Sequence, residues 1–118
     1  MNAPSHKDPL VRVRHMLDFA RKAVQFTSGK NRSDLDSNEM LAMAVVHLIE
    51  MLGEACRNIP AGFQNRYPEV PWEQISSTRN RLAHGYLEVD MDIIWTIVTE
   101  DLPPLIVQLK QIIKSEKE

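Results

Sequence analysis

The sequence predicts an all-α fold, a bundle of four or five helices, on three observations. Apolar residues recur three or four positions apart through several long segments. Those segments open at Asp, Asn or Pro, as helices do. No segment sustains the alternation of apolar and polar residues that marks a half-buried strand. At 118 residues, 43% hydrophobic and 25% charged, the chain fits one domain spanning residues 1–118. Residues 1–7 are expected to be flexible and 114–118 to fray.

The first helix is expected from Leu10 to Phe26. Pro9 suits a first helical turn, where its missing N–H costs nothing, and Asp8 precedes it as a cap. Leu10, Val13, Leu17, Ala20 and Val24 keep the helical spacing. SGKNRSDLDSN then reads as a loop in which Gly29 stops the helix. A second helix is expected from Asn38 to Ile59. Its apolar residues, Met40 through Leu52, cover almost the whole circumference. Such a helix needs neighbours on all sides, as the centre of the bundle or against a second chain. PAGFQNRYPEVP is a loop rich in Pro, Gly and Asn. Pro71 opens a third helix, with Glu73 near its positive end. It runs through WEQISSTRNRLAH and stops at Gly85. Asp90 or Asp92 starts a fourth, with Ile93, Ile94, Ile97 and Val98 inward. Pro103 and Pro104 lack an N–H and must kink or break it. Leu105, Ile106, Leu109, Ile112 and Ile113 carry the apolar face beyond them.

A net charge of −2 gives no overall electrostatic case for nucleic acid. The charge is uneven, however. Lys7, Arg12, Arg14, Arg21, Lys22, Lys30 and Arg32 face only Asp8 and Asp18 in the first 32 residues, so a local basic surface is possible. Cys56 stands alone, which excludes an intrachain disulfide and fits a reducing, cytoplasmic setting. MNAPSHKDP has no apolar run, and Met40 to Leu52 is too short to span a bilayer, so neither secretion nor a membrane is expected.

TRNRLAHGY, Thr78 to Tyr86, concentrates the chemistry. On a helix Asn80 and His84 are four apart and share a face. Arg79 lies about 140° and about 7.5 Å from His84, within reach of a long guanidinium. The negative end of the helix dipole favours a protonated His84, bringing its titration toward neutral pH. Arginine neutralises a phosphate and its developing charge. Histidine moves a proton to or from an RNA 2′-OH or 5′-oxygen. Taken alone, the bland alternative of solvated arginines and a helix-end histidine is preferred. His47, Glu50 and Glu54 share an arc of about 60° on the second helix. A polar stripe or a pairing with Arg57 explains them better than a metal site.

RNRLAHGY resembles the Arg-x-x-x-x-His-x-Tyr motif of HepT-like ribonuclease toxins of the HEPN superfamily. The flanks agree. LIEMLGEACRNIP resembles that family's second helix, VPWEQISSTRN its approach to the motif helix, and YLEVDMDIIWTIVTEDLPPL the segment that follows. The resemblance covers nearly the whole chain. It implies an HEPN-like bundle and a metal-independent endoribonuclease without cofactor. Arg79 and His84 match the catalytic pair, Asn80 the polar residue after that arginine, and Tyr86 the motif tyrosine. The resemblance also implies a homodimer whose two motifs line one cleft. Its implied partner is a minimal nucleotidyltransferase antitoxin of the MntA type, which attaches AMP to the tyrosine and silences the toxin. Arg81, Arg12 and Arg14 are candidate RNA contacts. The alternative is a non-catalytic helical dimer that binds a nucleotidyltransferase or a nucleotide.

Overall fold

A computed structural model of the chain describes residues 8–82 and 89–117, and at 79–81 the backbone alone. The long helices are α1 (Pro9–Thr27), α3 (Glu39–Arg57), α5 (Trp72–Arg81) and α7 (Leu102–Lys117). Three short ones, α2 (Asp34–Ser37), α4 (Ala61–Gln64) and α6 (Met91–Thr96), join them, and a π-helical turn (Ile97–Asp101) links α6 to α7. No strand occurs among the described residues.

The helix starts are built from the residues that the chain offers there. The Asp8 side chain accepts from the Leu10 N–H at 2.9 Å. Asn38 accepts from Leu41 at 3.0 Å, and Asp90 from Asp92 at 2.8 Å. Each carboxylate or amide oxygen satisfies one of the donors that a helix start leaves unpaired. At the far end of α1, Ser28 is the cap and Gly29 follows at φ +75°, a left-handed conformation that glycine adopts without a Cβ clash. The two loops expected on either side of α3 each contain one helical turn, α2 and α4. Four residues are too few to show a periodicity, so composition alone made these stretches look like loop.

α3 is the centre of the bundle. It packs against α1 on one side and α5 on another, with α2 and α6 touching its flanks. α7 packs along α1 and, at its start, borders a groove shared with α3. One continuous core results, with Val13, Met16, Ala20, Val45, Ile49, Ile94, Leu109 and Ile112 almost wholly buried. Each fully buried Val, Leu, Ile or Met side chain stabilises the fold by about 1.5–3 kcal/mol. The centre is not enclosed on all sides, however. Met40, Met43 and Met51 remain exposed, and so does His47, leaving one stripe of α3 on the surface. The apolar circumference of the second helix therefore exceeds what its neighbours cover.

The fourth helix runs on from α6 through the π turn into α7, but not in one hydrogen-bond register. The prolines stand at the second and third positions of α7. In the π turn just ahead of them the Leu102 N–H reaches the Ile97 carbonyl, five residues back. The wider turn takes up the mismatch that two adjacent residues without N–H impose. Inward of the turn, Ile94, Ile97, Val98 and Leu102 are all buried, as their spacing requires. Among the described residues no helix is long and apolar enough to cross a membrane.

Candidate active site

The helix that carries Arg79 and Asn80 is fixed from both ends. At its start Trp72 is buried, and its indole N–H donates to the Tyr67 carbonyl at 2.9 Å. Beneath it, the Cys56 thiol of α3 donates to the Trp72 carbonyl at 3.3 Å, and the Ser76 hydroxyl reaches the Cys56 sulfur at 3.3 Å. Burial pushes the Cys56 thiol up in pKa, and the Ser76 contact only partly opposes it. Further along α5, Ile75 is half-buried, and Thr78 and Leu82 are buried. Thr78 returns its hydroxyl to the Gln74 carbonyl at 2.9 Å, which lets a polar side chain lie in an apolar contact. These residues seat one stripe of α5 on α3.

The loop ahead of α5 is stapled in turn to the end of the chain. Tyr67 donates its hydroxyl to Glu116, and Arg66 pairs with the same carboxylate at 2.7 Å. The Arg66 guanidinium also lies 5.6 Å from the Phe63 ring centre and 5.8 Å from that of Tyr67. Gln108 of α7 donates to the Glu69 carbonyl at 3.1 Å. Tyr67 thus links Trp72 to α7.

The sequence places Arg79, Asn80 and Arg81 in the last turn of the third helix, and the backbone of α5 is helical at all three. In the chain Arg79 comes four residues after Ile75, and Asn80 four residues after Ser76. The helix is described to Arg81, with Leu82 in a turn. The expected continuation to Gly85, with His84 and Tyr86, lies outside the described residues. Downstream the chain is held again. Val89 packs on the core, Asp90 caps α6, and Arg32 grips its first turn. The Arg32 Nε donates to Asp92 at 2.6 Å, and Nη1 lies 3.0 Å from Asp36. The two carboxylates, Asp92 first, hold the guanidinium pKa above its ordinary value. No sequence signal pointed to Arg32, since its partner Asp92 is 60 residues away.

Arg12 and Arg14 sit elsewhere, early in α1, the first half-buried and the second exposed. α1 packs on α3 and α7. Among the described residues no group of three or more His, Cys, Asp or Glu is placed to share a metal ion. On α3 Glu54 receives the Asn58 amide at its backbone carbonyl and, more weakly, at its carboxylate. A half-open groove of about 280 Å³ runs between α5 and the start of α7. Its floor includes Ile49, Leu52, Ile97 and Leu105, and Ile75 and Thr78 bring it next to Arg79 in the chain.

The family described as Ribonuclease HepT-like matches residues 16–112. The chain is 32% identical over 111 residues to "Putative RNase TTE0752" of Caldanaerobacter subterraneus, covering 94% of this chain and 99% of the relative. It is 34% identical over 101 residues to "Probable ribonuclease HepT" of Thermococcus cleftensis, covering 86% and 89%. A protein of Methanocaldococcus jannaschii, "Putative RNase MJ1380", is 33% identical over 101 residues, covering 86% and 93%. No solved structure gives a match. All of α3 and α5, most of α1 and the greater part of α7 fall inside the matched span, and so does every residue of the Arg79–Tyr86 motif: the chain belongs to the ribonuclease HepT-like family.

Proposed function

We propose that this protein is a metal-independent endoribonuclease, the toxin of a toxin–antitoxin pair, with Arg79, Asn80 and His84 in its active site. The observation that carries the reading is the family match across residues 16–112, which includes an intact Arg-x-x-x-x-His-x-Tyr motif. The anchoring of α5 supports it. Trp72, Ile75, Thr78 and Leu82 fix the helix that ends in the motif, and preorganised groups are what electrostatic catalysis needs. Arg79 holds the scissile phosphate and balances its developing charge. His84 takes the proton from the 2′-OH or delivers one to the 5′-oxygen, and Asn80 orients His84 or the RNA. The 2′-oxygen bonds to phosphorus, the bond to the 5′-oxygen breaks, and a 2′,3′-cyclic phosphate and a 5′-hydroxyl result.

Two protomers pair so that both motifs line one cleft, with Arg81, Arg12 and Arg14 as further contacts to RNA. A minimal nucleotidyltransferase antitoxin attaches AMP to Tyr86. Each AMP brings bulk and a negative phosphodiester beside Arg79, where RNA phosphate would otherwise bind. The chemistry is tested on single-stranded RNA in EDTA, beside the same oligonucleotide in which every ribose is 2′-deoxy. RNA is expected to be cut to cyclic-phosphate ends and the deoxy strand to stay whole. Cleavage of both would refute the 2′-OH nucleophile. The switch is tested by intact mass after co-expression with the antitoxin: gains in AMP units are expected, and Tyr86→Phe should abolish them.

A further inference from the structure

Two surfaces differ sharply in what they offer RNA. The groove between α5 and α7 is lined by the carboxylates Glu69, Glu100 and Asp101, which repel a polyanion. α1 offers the opposite. Arg12, Arg14, Arg21, Lys22 and Lys30 stand along it or just beyond it, against Asp8 and Asp18. Asp8 is committed to capping the helix. Asp18 pairs with Lys22 at 3.1 Å, both side chains about half exposed. A surface pair of this kind contributes little, so an arriving phosphate can take the lysine.

Aromatic rings interleave with these cations. His15, Phe19, Lys22 and Phe26 follow one another at spacings of four, three and four, which puts them on one stripe of the helix. Arg12 heads the stripe, three residues before His15. His15 is exposed and Phe19 half-buried, and Phe26 is 42% exposed. The His15 and Phe19 ring centres lie 6.4 Å apart, with the planes tilted by 50°. From His15 to Phe26 the stripe is about 16 Å long, room for about two or three bases. The core of a protein–protein interface gathers apolar residues and is depleted in lysine. Here rings alternate with cations, the pattern that holds a single strand by stacking its bases and neutralising its phosphates. The stripe also leads toward the motif. Arg32, six residues past Phe26, bonds to Asp92, six residues past Tyr86.

We propose that this stripe of α1 is a platform for single-stranded RNA. Bases stack on His15, Phe19 and Phe26, while Arg12 and Lys22 hold the phosphates. The inference rests on the reading of RNA as substrate, and it adds a preference for unpaired RNA. Bases within a duplex are already stacked on one another and cannot use the rings.

Fluorescence anisotropy on the full chain tests it, with a labelled 2′-O-methyl RNA that cannot be cut through its 2′-oxygen. Phe26→Leu and His15→Ala should each bind the single strand about fivefold or more weakly than the wild type. Phe26→Tyr keeps the ring and should bind as the wild type does. The same strand annealed to its complement should not respond to Phe26→Leu. Both positions are exposed, and circular dichroism verifies that the helices are kept. Equal binding of the single strand by Phe26→Leu and the wild type would overturn the platform. So would an equal loss on the duplex. A protomer mass by light scattering that changes in Phe26→Leu would assign the stripe to a protein interface and overturn it too. Failure of the nuclease reading looks different. A wild type that binds single strands through these rings, yet leaves unmodified RNA whole, overturns the catalytic assignment and supports the platform.

Discussion

Cys56 shows how a single residue's surroundings set its chemistry. Its thiol is buried, donates to the Trp72 carbonyl and receives the Ser76 hydroxyl. Burial disfavours the thiolate, which is the reactive form. Alkylation by iodoacetamide at neutral pH should therefore be far slower for the native protein than for the urea-unfolded chain, as mass spectrometry would show. The sign of the pH dependence follows. The folded thiol titrates above the unfolded one, so its contribution is intact below the ordinary thiol range and is lost as pH rises through the folded value. Urea midpoints should fall on the alkaline side by more in the wild type than in Cys56→Ala. The family was legible at this scale because a spacing, Arg79 to His84, met flanks that narrowed it to one. Arg32 was not legible. Asp36 is a neighbour four residues on, but Asp92 is brought to it by the fold, and the sequence holds no local sign of that pairing.

The helices were readable as elements wherever they were long enough to repeat a three-to-four spacing. α1 and α3 match their expected bounds closely, and Asp8, Asn38 and Asp90 cap as their chemistry predicts. The misreadings have physical causes. α2 and α4 are single turns, below the length at which periodicity exists. Pro103 and Pro104 announced a disturbance, and the sequence could not say that a π turn would absorb it ahead of them. Two elements control the motif helix, and each makes a prediction. Trp72→Ala removes a buried indole from the start of α5 and should cost about 3–5 kcal/mol, read as a lowered urea midpoint. Asp90→Ala removes the cap of α6 and should cost about 0.5–2 kcal/mol. In Asp90→Ala the start of α6 frays locally, so cleavage should fall even at temperatures where the protein is fully folded. Unchanged cleavage there would mean that this anchor does not position the motif.

For the molecule as a whole, the arrangement divides labour between faces. α3 supplies the centre, α1 and α7 pack around it, and α5 is presented at one side with the backbone of Arg79 and Asn80 near its end. The acidic groove beside α5 and the cations along α1 give the domain a polarity that its net charge of −2 conceals. Composition could not reveal this, since opposite charges on two faces cancel in a sum. The exposed methionines of α3 belong to the same scale. The sequence suggested that the helix was covered on all sides, and the structure leaves Met40, Met43 and Met51 on the surface. A helix apolar around its circumference thus signals the centre of the bundle without guaranteeing that every side is covered.

In the function proposed, one guanidinium and one imidazole of this motif cut RNA without a metal. The most direct measurement is single-turnover cleavage of single-stranded RNA in EDTA by wild type, Arg79→Ala and His84→Ala, purified identically. The wild type should cut, and each variant should be slower by about a hundredfold or more while keeping the wild-type circular dichroism. Equal rates from all three proteins would contradict the claim.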